Sequence, residues 1–303
     1  MNESVQKSLQ LYVYELLQNR IVFSKEDEQH FYKEVQGYRG ERRFEQLVVE
    51  KLQVDYIALY SLLFDKSGRL SQIDCLLIFA TKLVLVEVKN FENEYAFFDD
   101  QFTSLRTNKV IANPLHQLNR TEILLKEILL SLNIHLPVLP YVAFVNDRFT
   151  LYMKPNDKIV LPTQLHGFFS HLNNERATLN ATHFALAEKL RTLHITENRF
   201  ARIPSYEWAT LRKGITCVHC RSWMTREYRH MRCTQCKYRE SLASAVVRST
   251  VEYAILFPDA PITTERIHEW VGEMVSIRTI LSTLQMYFQK ENSRKNASYQ
   301  FIT

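Results

Sequence analysis

Glycine is scarce in this sequence, with 6 in 303 residues, at positions 37, 40, 68, 167, 214 and 272. With so few, each glycine is expected to mark a turn. No apolar run reaches the roughly 18–20 residues that a membrane-spanning helix needs. The opening MNESVQKSLQLYVYELLQNR lacks the basic, apolar and small-residue order of a secretory signal. No period recurs along the chain, which argues against a solenoid or propeller. These absences lead to the expectation of a soluble, cytoplasmic protein with no membrane partner.

Cysteine is rarer still. There are 5, and four of them fall as two tight pairs, Cys217-x2-Cys220 and Cys233-x2-Cys236. In a reducing compartment such pairs point to metal before disulfide. The remaining composition is ordinary for a globular chain, 46% hydrophobic and 23% charged. The length suits two or three domains, since single cores stop growing at ~100–200 residues.

The net charge of +5 is unevenly placed. Residues 201–250 carry ten Lys/Arg against three Glu, which leaves the rest of the chain slightly negative. A positive block on a near-neutral body is the electrostatic footprint of a phosphate-rich partner. A solvated basic loop is the plainer alternative.

Hydrophobic periodicity divides the chain into five parts. Residues 1–36 read as an N-terminal helical extension, with amphipathic helices over 5–19 and 25–35. Residues 37–165 alternate helix and strand: a helix over Glu41–Leu52, strands at Ile57–Phe64, Gln72–Ala80 and Leu83–Lys89, a helix from Pro114 to Leu132, and a strand at Pro137–Val145. Residues 166–211 are expected to be a helical linker, 212–240 a cysteine module, and 245–303 a small helical domain closing on two strands.

The chemistry concentrates in SQIDCLLIFATKLVLVEVKNF, residues 71–91. A hairpin centred on Ala80–Thr81 with an even loop would oppose Asp74 to Glu87, Gln72 to Lys89, Leu76 to Leu85 and Ile78 to Leu83. An odd loop would put the two carboxylates on opposite faces, and no Asn-Gly or Asp-Gly turn decides between them. Opposed residues have Cβ atoms ~4.5–5.5 Å apart, close enough for two carboxylates to hold one cation. A salt bridge from Lys89 is the plain alternative. Two carboxylates beside one lysine on strands this apolar would repel, and a hard divalent ion with oxygen ligands would resolve the conflict.

Four segments in order, GYRGERRFEQLV from Gly37, then QIDCLLIF, LVLVEVKNF and NPLHQLNR, resemble the nuclease-related domain family, NERD. The resemblance covers about residues 37–145. It implies an α/β fold with a restriction-endonuclease-like mixed sheet flanked by helices and a PD-(D/E)XK site. Asp74 then matches the central metal-binding aspartate, preceded by Ile73 where the family usually has proline. Glu87 and Lys89 match the E-x-K pair, Glu41 the helical glutamate near the domain start, and Gln117 the glutamine of the following helix. Cys75 stands where the family often has histidine and is read as packing. The implied cofactor is Mg²⁺ or Mn²⁺, held by Asp74 and Glu87.

The two CxxC pairs are separated by twelve residues and resemble a zinc ribbon. Cys217, Cys220, Cys233 and Cys236 would close a tetrahedral shell around one structural zinc ion. Around them stand Arg221, Arg226, Arg229, Arg232, Lys237 and Arg239, interleaved with Trp223, Tyr228 and Tyr238. Basic and aromatic side chains together can hold phosphates and stack on bases. The aromatics could equally form the ribbon's small core, the expectation for Trp223.

Residues 245–303 read as three helices followed by two short strands, joined through Asn292–Asn296, and resemble a winged helix-turn-helix. Its candidate recognition helix carries only Arg278, and residues 251–303 hold five Lys/Arg against six acids. Lys290, Arg294 and Lys295 gather on the candidate wing. Nucleic acid and a protein partner are both open for this domain. The sequence thus points to a metal-dependent nuclease acting on DNA or RNA, with DNA the expected partner. The alternative is a non-catalytic nucleic-acid-binding regulator or scaffold built on the same fold.

Overall fold

The computed structural model describes residues 4–66, 68–196, 201–291 and 297–301. They form two compact units, one of Met1–Lys7 with Tyr32–Ala201 and one of Ser8–Phe31 with Arg202–Thr303.

Along the chain come helices α1 (Leu9–Leu17) and α2 (Lys25–Lys51), then strands β1 (Ile57–Lys66), β2 (Arg69–Ile78), β3 (Leu83–Lys89), β4 (Asn93–Phe98), β5 (Gln101–Ser104) and β6 (Lys109–Ile111). Helix α3 (Pro114–Ser131) follows, then β7 (Val138–Phe144), β8 (Phe149–Met153), β9 (Ile159–Val160), α4 (Leu165–Leu172) and α5 (Ala181–Leu193). The rest comprises β10 (Met224–Glu227), β11 (His230–Cys233), β12 (Arg239–Ser241), α6 (Leu242–Leu256), α7 (Thr264–Trp270), α8 (Ile277–Tyr287), β13 (Phe288–Lys290) and β14 (Tyr299–Phe301).

The first unit is built on a five-stranded mixed sheet in the order β1-β2-β3-β7-β9. The first three strands are antiparallel neighbours, and β7 and β9 join in parallel. Alternation of side chains gives the sheet two apolar faces. Leu76, Ile78, Leu83 and Leu85 pack with Leu118 and Leu125 of α3 and Leu186 and Leu190 of α5. Cys75, Leu77, Val84 and Val86 pack with Phe44 and Val48 of α2 and Phe169 and Leu172 of α4. A second sheet, β6-β5-β4-β8, lays Phe102, Phe149 and Leu151 onto the α3 side of the core. The mixed sheet flanked by helices is the α/β architecture expected.

Three expectations need correction. Lys25–Lys51 form one helix rather than two, because neither Gly37 nor Gly40 is accompanied by a cap or a proline. A helical glycine costs only ~1 kcal/mol relative to alanine. Glycine marks a left-handed turn at Gly68, Gly214 and Gly272, but Gly37, Gly40 and Gly167 are helical. The segment expected to be a helical linker supplies α4 and α5, whose Phe169, Leu172, Leu186 and Leu190 are buried in the first unit.

In the second unit, α1, the cysteine module and α6–α8 share one core around Leu17, Met231, Val246, Trp270, Ile280 and Leu284. The N-terminal extension is thus divided: α1 belongs here, and the unit boundary falls within α2. Strands β10, β11 and β12 form a three-stranded antiparallel sheet. Helices α7 and α8 begin on Thr263 and Ser276 caps, and a β13–β14 hairpin follows. Ile262 bridges to Tyr299, adding a third extended segment beside that hairpin. Residues 292–296, with Arg294 and Lys295, lie outside the described residues.

Candidate active site and metal centre

Two of the acidic groups come from the central hairpin. Its register is the even one: Cys75 opposes Val86, Leu76 opposes Leu85, Leu77 opposes Val84 and Ile78 opposes Leu83. The turn has no Asn-Gly signal because other segments hold it. The buried His183 ring donates from Nε2 to the Ala80 carbonyl at 3.0 Å, and Thr81 Oγ1 donates to Glu175 at 2.5 Å.

The expected pairs beyond Cys75–Val86 are absent, since the ladder stops there. The Asp74 carboxylate takes the place of a backbone acceptor, receiving the Val88 N–H on Oδ2 at 2.8 Å. On the other flank, β1 and β2 pair from Ile57 to Tyr60 and again from Leu62 to Lys66, skipping Ser61 opposite Asp74. Ser61 has φ 52°, a left-handed conformation inside a strand. The sheet is therefore opened on both sides of Asp74, freeing its side chain from the regular pleat.

Glu41 and Gln117 reach this opening from helices on opposite faces. Glu41 lies on α2 and accepts a 3.0 Å hydrogen bond from Ser61 Oγ on Oε2. Its helix approaches closely because residue 40 is glycine. A Cβ there would stand 2.7 Å from Asn90 Cβ, just past the end of β3. Asn90 in turn donates from Nδ2 to the Gln36 carbonyl at 3.0 Å, tying α2 to that strand end. On the other face, Asn113 caps α3 by accepting the Leu115 N–H at 2.9 Å. One turn later Gln117 accepts from Lys89 Nζ at 3.0 Å, while Lys89 also donates to Glu87 Oε1 at 2.6 Å.

The five residues expected at the site thus come together from four elements: α2, β2, β3 and α3. Asp74 and Glu87 are buried, at 9% and 3% exposure. Burial pushes the Glu87 carboxyl up to about 8, with Asp74 adding to the rise and Lys89 opposing it. Burial likewise raises Glu41 to about 8, reinforced by Asp74 and opposed by the Ser61 hydroxyl. Asp74 is raised by burial, against the pull of Lys89 and the Val88 N–H. Burial works against the charge on Lys89, but Glu87 and Asp74 outweigh it and hold the ammonium above its ordinary range. Ser61, Asn90 and Gln36 carry no sequence signal of their own, and Gly40 is a close approach rather than the turn expected of it. The Gly40–Glu41 adjacency is the signal that could have found the first of these contacts.

The second centre is sulfur-based. The four Sγ atoms of Cys217, Cys220, Cys233 and Cys236 lie within 4.8 Å of one another, and none is in a disulfide. Cys217 and Cys236 are 3.6 Å apart and Cys220 and Cys233 3.4 Å. A tetrahedral zinc ion with ~2.3 Å bonds to sulfur would set such edges at ~3.8 Å, so the cluster could hold zinc. Two matching turns supply the thiols. In each, the residue after the second cysteine is left-handed, Arg221 at φ 59° and Lys237 at φ 63°. Among the described residues this is the one set of three or more potential ligand atoms drawn so tightly together; Glu41, Asp74 and Glu87 form no comparable set.

The basic residues around the thiols separate into two kinds. Arg221, expected to touch nucleic acid, is buried instead, its guanidinium paired with Glu252 at 3.3 Å and Glu15 at 3.2 Å. The turn that presents Cys220 aims the next side chain inward, where two acids neutralise it. Arg226, Arg229, Arg232, Lys237 and Arg239 are exposed.

Residues 36–145 match the nuclease-related domain, NERD. The NERD segment runs from within α2 to the residue after β7, and it contains Glu41, Asp74, Glu87, Lys89 and Gln117. It covers just over a third of the chain and leaves the cysteine cluster and the C-terminal helices outside. No curated protein and no solved structure matches the chain. Among the described residues, no helix is long and apolar enough to cross a membrane.

Proposed function

We propose that the protein is a metal-dependent nuclease that hydrolyses phosphodiester bonds at the Asp74–Glu87–Lys89 site. The observation that carries this reading is a half-buried lysine bonded to Glu87 at an opening in the sheet, with Asp74 and Glu41 near enough to raise it as well. Such a group of acids is costly on its own, as the raised Glu41 and Glu87 values express. A hard divalent cation offsets that cost, and the all-oxygen donor set fits Mg²⁺ or Mn²⁺ better than a soft metal. Asp74 and Glu87 would hold the ion, with Glu41 beside them. Such an ion would supply the positive charge that polarises a phosphate and acidifies water.

The chain's own groups have separable tasks. The Val88 N–H fixes the Asp74 carboxylate, and Ser61 fixes Glu41. Lys89 stays protonated, since its neighbours raise it, so it donates hydrogen bonds and offsets negative charge rather than accepting a proton. Gln117 and Glu87 engage two of its three donors. The third is left to orient a water or a phosphate oxygen.

In the second unit, zinc bound by the four thiols would hold the ribbon, whose exposed Arg229, Arg232, Lys237 and Arg239 would contact the phosphate backbone. The order α6, α7, α8 and the β13–β14 hairpin supports a winged-helix reading. The outer face of α8 exposes Ile277, Leu281 and Met286 beside Arg278, which favours a protein partner there over a DNA groove. The test is incubation of the full chain with labelled single- and double-stranded DNA and RNA, with Mg²⁺, Mn²⁺ or neither. Metal-dependent cleavage of at least one substrate is expected. Cleavage of none would favour the non-catalytic nucleic-acid-binding regulator.

A further inference from the structure

The ribbon carries three aromatic side chains, and the fold treats them differently. Trp223 is half-buried and covered by cations, with the Arg212 guanidinium 4.3 Å and the Arg20 guanidinium 5.4 Å from its ring. Tyr238 is half-buried and meets the His219 ring edge-on at 4.4 Å. Tyr228 alone of the three stands out in solvent, 80% exposed.

Its position is as telling as its exposure. Glu227 and His230 are the last pair of β10 and β11, so Tyr228 and Arg229 form a two-residue turn. Tyr228 is the first residue of that turn, with φ 55°. Glycine takes such a position without cost, whereas a bulky side chain there is strained. The chain thus places a large ring where backbone geometry disfavours it and where no packing rewards it. The turn is also reinforced. Arg226 donates from Nε to the Tyr228 carbonyl and from Nη1 to the Met274 carbonyl, each at 3.2 Å. The Arg229 guanidinium lies over the Tyr228 ring, 5.5 Å from its centroid, and among the described residues Arg229 makes no ion pair.

The cations beside the turn form a row. Register across the three strands sets Thr225, Arg232 and Arg239 side by side on one face. Arg232 and Arg239 share the single carboxylate of Glu227, at 3.3 and 3.2 Å. Guanidinium groups therefore outnumber carboxylates around the tip, next to a ring backed by a cation and open to solvent.

We propose that Tyr228 is a stacking platform for an unpaired base, with Arg229 supporting the ring and Arg232 and Arg239 taking the flanking phosphates. The ligand is single-stranded nucleic acid, because a base inside a duplex keeps both faces covered by its neighbours. This deepens, and rests on, the reading of the ribbon as a nucleic-acid contact. Arg226 serves the turn rather than the ligand, since two backbone carbonyls already hold its guanidinium.

Binding of the full chain to fluorescein-labelled dT20, U20 and a 20-base-pair DNA duplex, without Mg²⁺ or Mn²⁺, tests the proposal. Stacking of one base on an aromatic ring corresponds to about a 5- to 150-fold effect on affinity. Tyr228→Ala should weaken dT20 or U20 binding by that factor and leave duplex binding unchanged, whereas Tyr228→Phe should keep the wild-type affinity. The dT20 and U20 arms separate a DNA ligand from an RNA ligand. A second readout does not depend on the variants folding. Wild-type protein irradiated with an oligonucleotide carrying 5-iodouracil should crosslink on the peptide containing Tyr228. Equal single-strand affinity for wild type and Tyr228→Ala, or crosslinks confined to other peptides, would overturn the stacking role. Wild-type protein that binds none of the three probes would overturn the ribbon's reading as a nucleic-acid contact, and the platform with it.

Discussion

Replacing Glu87 by glutamine should stabilise the metal-free protein at alkaline pH while abolishing cleavage. Burial and the adjacent Asp74 push Glu87 up to about 8, against an ordinary value of 4.5. A carboxyl raised in the folded state favours folding fully below its unfolded value. That contribution is lost as pH rises through the folded value, so the relevant window is pH 4.5–8. A single group with this shift would cost the native state ~4 kcal/mol by pH 8. Losing the Lys89 contact in Glu87→Gln reduces the gain to ~1–3 kcal/mol, or ~2–10 °C in melting temperature for a unit of this size. The assay is thermal unfolding of both proteins in buffer free of Mg²⁺ and Mn²⁺, stepped from pH 5 to 8.5. The difference in melting temperature should grow with pH in favour of Glu87→Gln. A constant difference, or one that grows in favour of the wild type, would refute the reasoning that buried like charge is stored at this site.

Other perturbations separate the parts of the account. Elemental analysis should return about one zinc per chain, and stripping zinc should lower the melting temperature of the second unit, because the ribbon that the metal holds shares its core with α1 and α6–α8; absence of zinc, or a disulfide among the four cysteines, would contradict this. Gly40→Ala should cost ~1–3 kcal/mol and depress cleavage, since the new Cβ meets Asn90. Adding Asn90→Gly should restore part of both, and no effect of Gly40→Ala would mean α2 is not held by this contact. Ser61→Gly should keep or raise stability by relieving the left-handed strain yet lower cleavage by releasing Glu41, whereas Ser61→Ala should lose both. Unchanged cleavage in both variants would remove Glu41 from the site.

Much of the site was legible because it rides on local patterns. Of the two registers the sequence left open, the structure adopts the even one from Cys75–Val86 to Ile78–Leu83, which sets Leu76 against Leu85 and Ile78 against Leu83 as alternation allows. Asn113 and Pro114 announce the helix that delivers Gln117. What the sequence hid is non-local. Sheet alternation gives no hint that Ser61 turns left-handed opposite Asp74, because that departure answers to Glu41 on a different element. Gly40 looks like punctuation and is a close approach, a distinction that depends on Asn90 fifty residues away. Strands β4, β5 and β6 are short and, apart from Phe102 and Ser104, only partly buried, and β4 pairs with the distant β8, so no local apolar pattern announces them. Arg221 was counted among exposed cations because its spacing matches the rest, and only the packing of α1 and α6 shows the two acids that bury it.

The central claim is that a metal held by Asp74 and Glu87 drives phosphodiester cleavage, and Asp74→Asn tests it most directly. The substitution keeps the size of the side chain and leaves one oxygen to accept the Val88 N–H, so the fold should survive while the charge a cation needs is gone. The measurement is the rate of Mg²⁺- or Mn²⁺-dependent cleavage of the best nucleic-acid substrate by wild type and Asp74→Asn, at matched folded fraction. The account predicts cleavage by the wild type and none above background by the variant. Equal cleavage by the two proteins would contradict it and move the active centre elsewhere in the chain.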